Sequence, residues 1–108
     1  MSVPPYIEGE PQPARIGGEE FLVAMPDTNA RQAARTAERL RELIEVTDFE
    51  VGANTAPVRI TLSIGVTVCG PNPMTEPEIL DVIDRADTAL YTSKRGGRNM
   101  VTFWQTAA

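Results

Sequence analysis

Two short segments of the chain carry residue types that could bind a phosphate group or a metal ion. In Gly17-Gly18-Glu19-Glu20, two residues without side chains precede two adjacent carboxylates. Glycine lets a phosphate approach the backbone closely, and carboxylate oxygens are hard ligands of the kind Mg²⁺ prefers. In Lys94-Arg95-Gly96-Gly97-Arg98-Asn99, cations surround a second glycine pair and could clamp a chain of phosphates. Taken singly, the first segment also fits an ordinary hairpin with solvated acids, and the second fits cations that complement a helix dipole.

A third segment, Leu62-Ser63-Ile64-Gly65-Val66, places a glycine inside a strand pattern. Glycine in a strand interior indicates a close approach by another backbone or by a ligand. We favour the packing explanation over the ligand for this position.

Composition narrows the classes of protein that could use these segments. The 108 residues suit a single domain, and the absence of histidine excludes histidine-based triads and metal sites. One cysteine cannot form an intrachain disulfide and suits a reducing compartment, so we expect a cytoplasmic location. The net charge of −5 argues against nucleic acid as a partner. No apolar run reaches the ~18 residues of a transmembrane helix, and no secretory signal is readable, so we expect no membrane contact.

The elements that must position the two charged segments are readable from turn residues and periodicity. Residues 1–13 are rich in proline and predict an irregular arm. Strands at 14–16 and 20–25 flank the glycines at 17 and 18, which predicts a hairpin. Asp27 or Thr28 can cap a first helix, whose buried stripe runs from Ala30 through Leu40 to Ile44.

The second half of the chain begins with a strict alternation. Residues 47–51 can pair with the following strand, which we predict over 58–68 because every second residue there is apolar. Thr75 has capping-box spacing to Glu78 at the start of a second helix, which Gly96 or Gly97 ends. Residues 100–104 predict a closing strand.

Taken in order, these motifs resemble one protein family. Besides the three segments above, the chain contains Ala37-Glu38-Arg39-Leu40-Arg41 and Asp84-Arg85-Ala86-Asp87-Thr88-Ala89-Leu90-Tyr91. The five motifs together resemble the GGDEF domain of diguanylate cyclases, in its GGEEF variant and most like the response-regulator, PleD-like type. The resemblance covers about residues 14 to 104, and the motifs are far more specific jointly than the pentapeptide alone.

The resemblance implies an activity and a set of site residues. Enzymes of the family join two GTP molecules into cyclic di-GMP and release two diphosphates, with each half of a homodimer holding one GTP. Gly17 and Gly18 match the turn that contacts the phosphates, and Lys94 and Arg98 match the pair that grips them. Glu19 matches the carboxylate that binds Mg²⁺ or Mn²⁺ and is proposed as the catalytic base. The acid paired with it is Glu20. In addition, Arg39 matches a secondary contact of the inhibitory product site.

The chain also departs from the family pattern. A complete domain begins with a strand and two helices that carry a second metal-binding Asp, a charge-stabilising Lys, and the Asn and Asp that read guanine. Residues 1–14 contain no Asp, Asn or Lys. The inhibitory Arg-x-x-Asp motif is also unmatched, because Glu8-Gly9-Glu10-Pro11 occupies its place. The resemblance therefore implies the C-terminal part of a domain, at residues 14–108, that is inactive by itself and is preceded by a receiver or sensor domain in the full-length protein.

The fold we expect is α+β, a truncated ferredoxin-like domain with a mainly antiparallel sheet and both main helices on one face. Because the family's first strand is central in the sheet, we expect the chain to pair strands with a second copy. The alternative function is a degenerate remnant that serves as a regulatory, dimerisation or nucleotide-binding module. A generic ferredoxin-like adaptor is a weaker third alternative.

Overall fold

The computed structural model describes residues 12–17 and 20–105 of the chain. Helices and strands are both present, as expected for an α+β domain. In chain order the elements are β1 (Gln12–Gly17), β2 (Glu20–Ala24), α1 (Ala30–Glu45), β3 (Ile64–Val66), α2 (Glu76–Arg95) and β4 (Val101–Phe103).

Strands β1 and β2 form the antiparallel hairpin expected around the first glycine pair. Arg15 lies opposite Phe21 and Gly17 lies opposite Glu20, with one irregularity in register between residues 15 and 17. Strand β1 begins at Gln12, so residues 12 and 13 belong to the hairpin and not to the predicted arm. The remainder of that arm, residues 1–11, lies outside the described residues.

The N-cap of helix α1 lies one residue after Thr28 and two after Asp27, the two caps that we expected. Asn29 is the N-cap: its side-chain oxygen accepts from the Gln32 amide at 2.8 Å, and the Gln32 side chain accepts from the Asn29 amide at 3.0 Å. Thr28 donates to the Pro26 carbonyl at 2.9 Å. This reciprocal pair satisfies two donors at the helix start, which neither Asp27 nor Thr28 does.

The predicted strand over 58–68 is much shorter in the structure. Only Ile64–Val66 is strand, while Val58 forms an isolated antiparallel bridge to Phe49 with N···O distances of 2.8 and 2.9 Å. Alternation detects an extended segment with one apolar side, but a ladder also needs a hydrogen-bonding partner. Among the described residues, positions 59–63 have no strand beside them, and Ile60 is exposed.

Helix α2 begins and ends as its sequence predicts. Thr75 caps it by accepting from the Glu78 amide, Pro77 lies in the first turn, and Gly96 is the C-cap. The first turns of the helix expose two large apolar side chains, those of Ile79 and Leu80. Burial is instead concentrated in the C-terminal half of the helix.

Strands β3 and β4 pair in parallel, as a helical crossover between two neighbouring strands requires. Ile64 donates to the Met100 carbonyl at 2.9 Å, and Trp104 donates to the Val66 carbonyl at 2.8 Å. Within the described residues the strands form two separate ladders, one antiparallel and one parallel, so the sheet is less uniformly antiparallel than expected.

The two helices pack on opposite faces of the β3–β4 pair, which corrects our expectation of one shared face. Val66 is buried with Ala33 and Ala37 of α1 in the core cluster, against which Ile64, Val101 and Phe103 also pack. The neighbouring residue Gly65 points the other way, toward α2. Successive strand residues face opposite sides, so one strand separates the two helices.

Candidate functional site

Two residues of the first candidate segment lie at the paired strand ends of the hairpin. Gly17 is the last residue of β1, directly opposite Glu20, the first residue of β2. Gly18 and Glu19 lie outside the described residues. The two described members, Gly17 and Glu20, therefore stand paired at the ends of the two strands.

One ion pair joins this hairpin to the end of α2. The Lys94 ammonium lies 3.3 Å from the Glu20 carboxylate, and both side chains are only partly exposed, at 28% and 36%. The two residues are 74 positions apart in sequence. The fold thus brings the first and last candidate segments into direct contact, as a shared phosphate site would require.

The turn after α2 carries Arg98 in a conformation uncommon for its type. Gly97, Arg98 and Asn99 have φ angles of 116°, 64° and 49°, and the Arg98 amide donates to the Ser93 carbonyl at 3.0 Å. This amide-to-carbonyl bond after a left-handed glycine is the Schellman type of helix ending. A left-handed conformation costs an L-residue about 1–2 kcal/mol, so surrounding contacts must hold Arg98 in place.

Asn99 supplies those contacts through three hydrogen bonds. Its side-chain oxygen accepts from Arg41 Nη1 at 3.0 Å, and its side-chain amide donates to Glu45. Its backbone amide donates to the Ser63 hydroxyl at 3.2 Å. One residue therefore ties the turn to α1 and to the segment that enters β3.

Arg41 is itself held among three carboxylates of α1. Its Nε donates to Glu38 at 2.9 Å, and Glu42 and Glu45 lie 3.8 and 3.6 Å from the guanidinium. Only 14% of the Arg41 side chain is exposed. The hydrogen bond from Arg41 lowers the pKa of the Glu38 carboxyl below its ordinary value, and the same bond raises the pKa of the Arg41 guanidinium.

Arg39, the candidate inhibitory contact, lies exposed on α1. Arg31 and Arg35 precede it at four-residue intervals, so the three cations fall along one side of the helix. None of the three pairs with an acid among the described residues. The structure does not bring Arg39 into contact with Lys94 or Arg98.

The dipole of α2 affects the charge balance around Lys94 and Arg98. Both cations lie at the C-terminal end of α2, where the helix dipole favours positive charge and repels anions. Any phosphate held here must therefore be attracted by the two cationic side chains, because the helix end itself opposes it. No group of three or more acidic or cysteine side chains that could hold a metal ion occurs in the part of the chain that is described.

Sequence reasoning missed Arg41, Asn99 and Ser93 as residues that organise this region. Ser93 is completely buried, and its hydroxyl lies 2.9 Å from the Ile64 carbonyl and 2.7 Å from the Thr102 hydroxyl. The sequence signal that could have identified Ser93 was the position of a serine on the apolar side of a helix. For Arg41 and Asn99 no local signal existed, since they are 58 positions apart.

Comparison with known proteins identifies the family. Residues 6–100 match the family described as diguanylate cyclase, GGDEF domain. The chain belongs to the GGDEF family. This GGDEF chain is 43% identical over 89 residues to the response regulator PleD of Caulobacter vibrioides, which covers 82% of the chain and 19% of PleD. It is 37% identical over 91 residues to the diguanylate cyclase DosC of Escherichia coli, which covers 84% of the chain and 19% of DosC.

Solved GGDEF structures confirm the fold. The GGDEF domain of DgcB from Caulobacter crescentus, in complex with c-di-GMP, matches with a TM-score of 0.76 and 35% identity. That match covers 89% of this chain and 53% of the DgcB chain. The active GGEEF domain of a diguanylate cyclase from Vibrio cholerae matches with a TM-score of 0.68 and 27% identity, over 94% of this chain and 60% of that one.

The chain spans about a fifth of the length of the curated relatives PleD and DosC. Within the described residues, neither helix is both long and apolar enough to cross a membrane.

Proposed function

We propose that the chain forms part of the nucleotide site of a diguanylate cyclase, which joins two GTP molecules into cyclic di-GMP with release of two diphosphates. The observation that carries this proposal is the 3.3 Å contact between Lys94 and Glu20, because it unites the two segments that the family uses for phosphates. Membership of the GGDEF family and the cyclase relatives support the same activity.

Each candidate residue has a separate task in this proposal. The backbone amides of Gly17 and Gly18 and the side chains of Lys94 and Arg98 hold the phosphates. Glu19 ligates the metal and acts as the base toward the 3′-hydroxyl, and Glu20 is its paired acid. The ion pair with Lys94 keeps the Glu20 carboxylate at the hairpin end. This is phosphoryl transfer by positioning and charge neutralisation, so geometry matters more than covalent chemistry.

The cofactor in this proposal is Mg²⁺, or Mn²⁺ in its place. Adjacent carboxylates at 19 and 20 offer the hard oxygen donors that Mg²⁺ takes, one or two at a time, alongside phosphate oxygens. A bound divalent ion would neutralise charge on the phosphates. The chain's own cations provide the remaining neutralisation.

Partners and location follow from the same family assignment. We propose a homodimer in which each copy holds one GTP, a receiver or sensor domain in the full-length protein, and a cytoplasmic location. Arg39 then contributes a secondary contact to cyclic di-GMP as inhibitor. The 108-residue chain by itself is proposed to be inactive, because residues 1–14 offer no counterpart of the family's second metal ligand or its guanine-reading residues.

A domain graft tests the proposed function directly. The matched 91-residue region of DosC is replaced by the corresponding region of this chain, and cyclic di-GMP formation from GTP and Mg²⁺ is measured. We expect the graft to be active and its Glu19→Ala variant to be inactive, with Glu50→Ala as an exposed acidic control. A folded but inactive graft would refute the proposal.

A second candidate function is a regulatory or dimerisation module derived from the cyclase fold. Large apolar side chains remain exposed in the structure: Phe21 is 66% exposed, Leu43 60% and Val46 64%. Exposed apolar surface of this kind favours protein contacts. An inactive graft combined with self-association of the 108-residue chain would support this second function over the first.

A further inference from the structure

The turn that carries Arg98 depends on α1 through a single side chain, that of Asn99. Asn99 joins Arg41 at 3.0 Å and also Glu45, both on α1. The turn is also held by three backbone amides: that of Gly96 donates to the Thr92 carbonyl, that of Arg98 to the Ser93 carbonyl, and that of Asn99 to the Ser63 hydroxyl.

Arg41 is poorly suited to bind an anion itself. Three carboxylates of its own helix lie within 4 Å of its guanidinium, so the local charge is negative and repels phosphate. Its planar guanidinium instead donates hydrogen bonds to two partners, the Glu38 carboxylate and the side-chain oxygen of Asn99. The geometry suits an anchor for the turn.

Arg98, unlike Arg41, is well suited to bind an anion. It is exposed and makes no ion pair with any described residue, and its backbone is left-handed at a φ of 64°. A long exposed side chain loses rotamer freedom when it binds a ligand. A backbone that is already fixed in the binding conformation lowers the total conformational entropy lost on binding. The conformation of Arg98 is therefore a property that its neighbour Asn99 can control.

We propose that Asn99 and Arg41 are positioning residues, which fix the backbone from which Arg98 reaches the nucleotide phosphates. The proposal rests on the phosphate contact of Arg98 in the proposed function. Arg41 and the α1 carboxylates around it would then support phosphate binding without contacting the phosphate.

Titration of the 108-residue chain with inorganic triphosphate, followed by NMR, tests this role. Arg98→Ala should weaken binding about fivefold, as loss of one exposed charge contact does. Asn99→Gly, which still accepts a positive φ but loses the side-chain anchor, should weaken binding by a similar factor. The double variant should be no weaker than either single variant, because both remove the same contact. Asn72→Gly, the same substitution at an exposed loop position, should bind like the wild type.

Arg41→Lys separates positioning from charge. Lysine keeps the positive charge near the three carboxylates but lacks the fork that reaches Asn99. We expect Arg41→Lys to weaken triphosphate binding like Asn99→Gly and to change the Arg98 amide–Hα coupling from its left-handed value. A merely structural role of the charge would leave both readouts unchanged.

The outcomes distinguish this proposal from the function on which it rests. If the wild type shows no binding, or Arg98→Ala binds like it, the phosphate contact itself is wrong and the positioning role is overturned with it. If Arg98→Ala weakens binding while Asn99→Gly does not, only the positioning role is wrong. Unchanged binding in Arg41→Lys alone removes Arg41 from that role.

Discussion

A Cβ atom placed on Gly65 would lie 2.2 Å from the carbonyl oxygen of Ala86, so β3 runs directly against the backbone of α2. The amide nitrogen of Leu90 would be equally close. Backbone atoms cannot yield as a flexible side chain can, and the two elements would have to separate to admit a methyl group.

We therefore expect Gly65→Ala to lower the free energy of unfolding by about 3 kcal/mol or more, at the upper end of overpacking effects. Urea unfolding monitored by Trp104 fluorescence measures the change. Gly70→Ala is the matched control, because no atom lies within 4 Å of a Cβ there, and it should stay within about 0.5 kcal/mol of the wild type. Equal stability of the two variants would contradict the close contact.

Ser93→Ala should destabilise the chain by about 1–3 kcal/mol. The Ser93 hydroxyl donates to the Ile64 carbonyl and accepts from the Thr102 hydroxyl, so the substitution removes a partner from both strands at a fully buried position. Thr92→Ala on the same helix removes an exposed hydroxyl and should change stability by less than about 0.5 kcal/mol. A loss in Thr92→Ala as large as in Ser93→Ala would argue against a special role for the buried pair.

The loss of stability on acidification below pH 5 should come in part from protonation of Glu38. Because Arg41 lowers the pKa of this carboxyl in the folded state, its contribution is present above the ordinary value of 4.5 and disappears as the pH falls through the lowered value. Glu38→Gln should therefore be less stable than the wild type near neutrality, with the difference shrinking toward pH 3. Thermal unfolding over that range measures it, and Glu50→Gln, an exposed acid with no ion pair among the described residues, serves as control. A difference that stays constant with pH would disprove the linkage.

The 108-residue chain should bind GTP and ATP equally and weakly, with a dissociation constant no better than millimolar. Charge-assisted contacts from Lys94 and Arg98 contribute at most about 1.5–3 kcal/mol each, and solvent exposure reduces that. Isothermal titration with each nucleotide in the presence of Mg²⁺ makes the comparison. Tight binding of GTP with exclusion of ATP would show that guanine is recognised by residues other than those the family uses.

We expect the chain to form a two-fold dimer through its strands. The hairpin and the β3–β4 pair are separate ladders in the described part of the chain, so each presents unpaired strand edges of the kind that recruit another chain. Light scattering at micromolar concentration measures the mass. A monomer whose strands form one continuous sheet in solution would exclude this mode of association.

The sequence predicted local features of the fold more reliably than contacts between elements. Alternation correctly placed Ile64 and Val66 on an apolar face, which α1 covers. The opposite face, with Ser63, Gly65 and Thr67, has the small and polar composition of a solvent-facing surface. At Gly65 this face nevertheless lies against α2, which confirms the packing explanation for that glycine, although the sequence did not indicate which element would approach it.

In the candidate site, too, local features were predictable from the sequence and contacts between elements were not. The hairpin that begins its turn at Gly17 and the end of α2 at Gly96 were predictable, since turn chemistry and helix ends are local properties. The contact between Lys94 and Glu20 follows from the fold as a whole. The clamp of Asn99 by Arg41 was not predictable either, because a helix rich in acidic and basic residues indicates only a solvated face.

Because α1 and α2 cover opposite faces of the β3–β4 pair, water reaches its hydrogen bonds only along the strand edges. The amides of Ile64 and Trp104, at the two ends of this ladder, are therefore expected to exchange with deuterated solvent more slowly than the amides of the hairpin. Among the described residues the hairpin meets the helices mainly through the ion pair between Glu20 and Lys94, so it can open by breaking that pair while both helices stay on the strands. Proteases should accordingly cut the hairpin long before the parallel pair, leaving a resistant fragment that begins near α1.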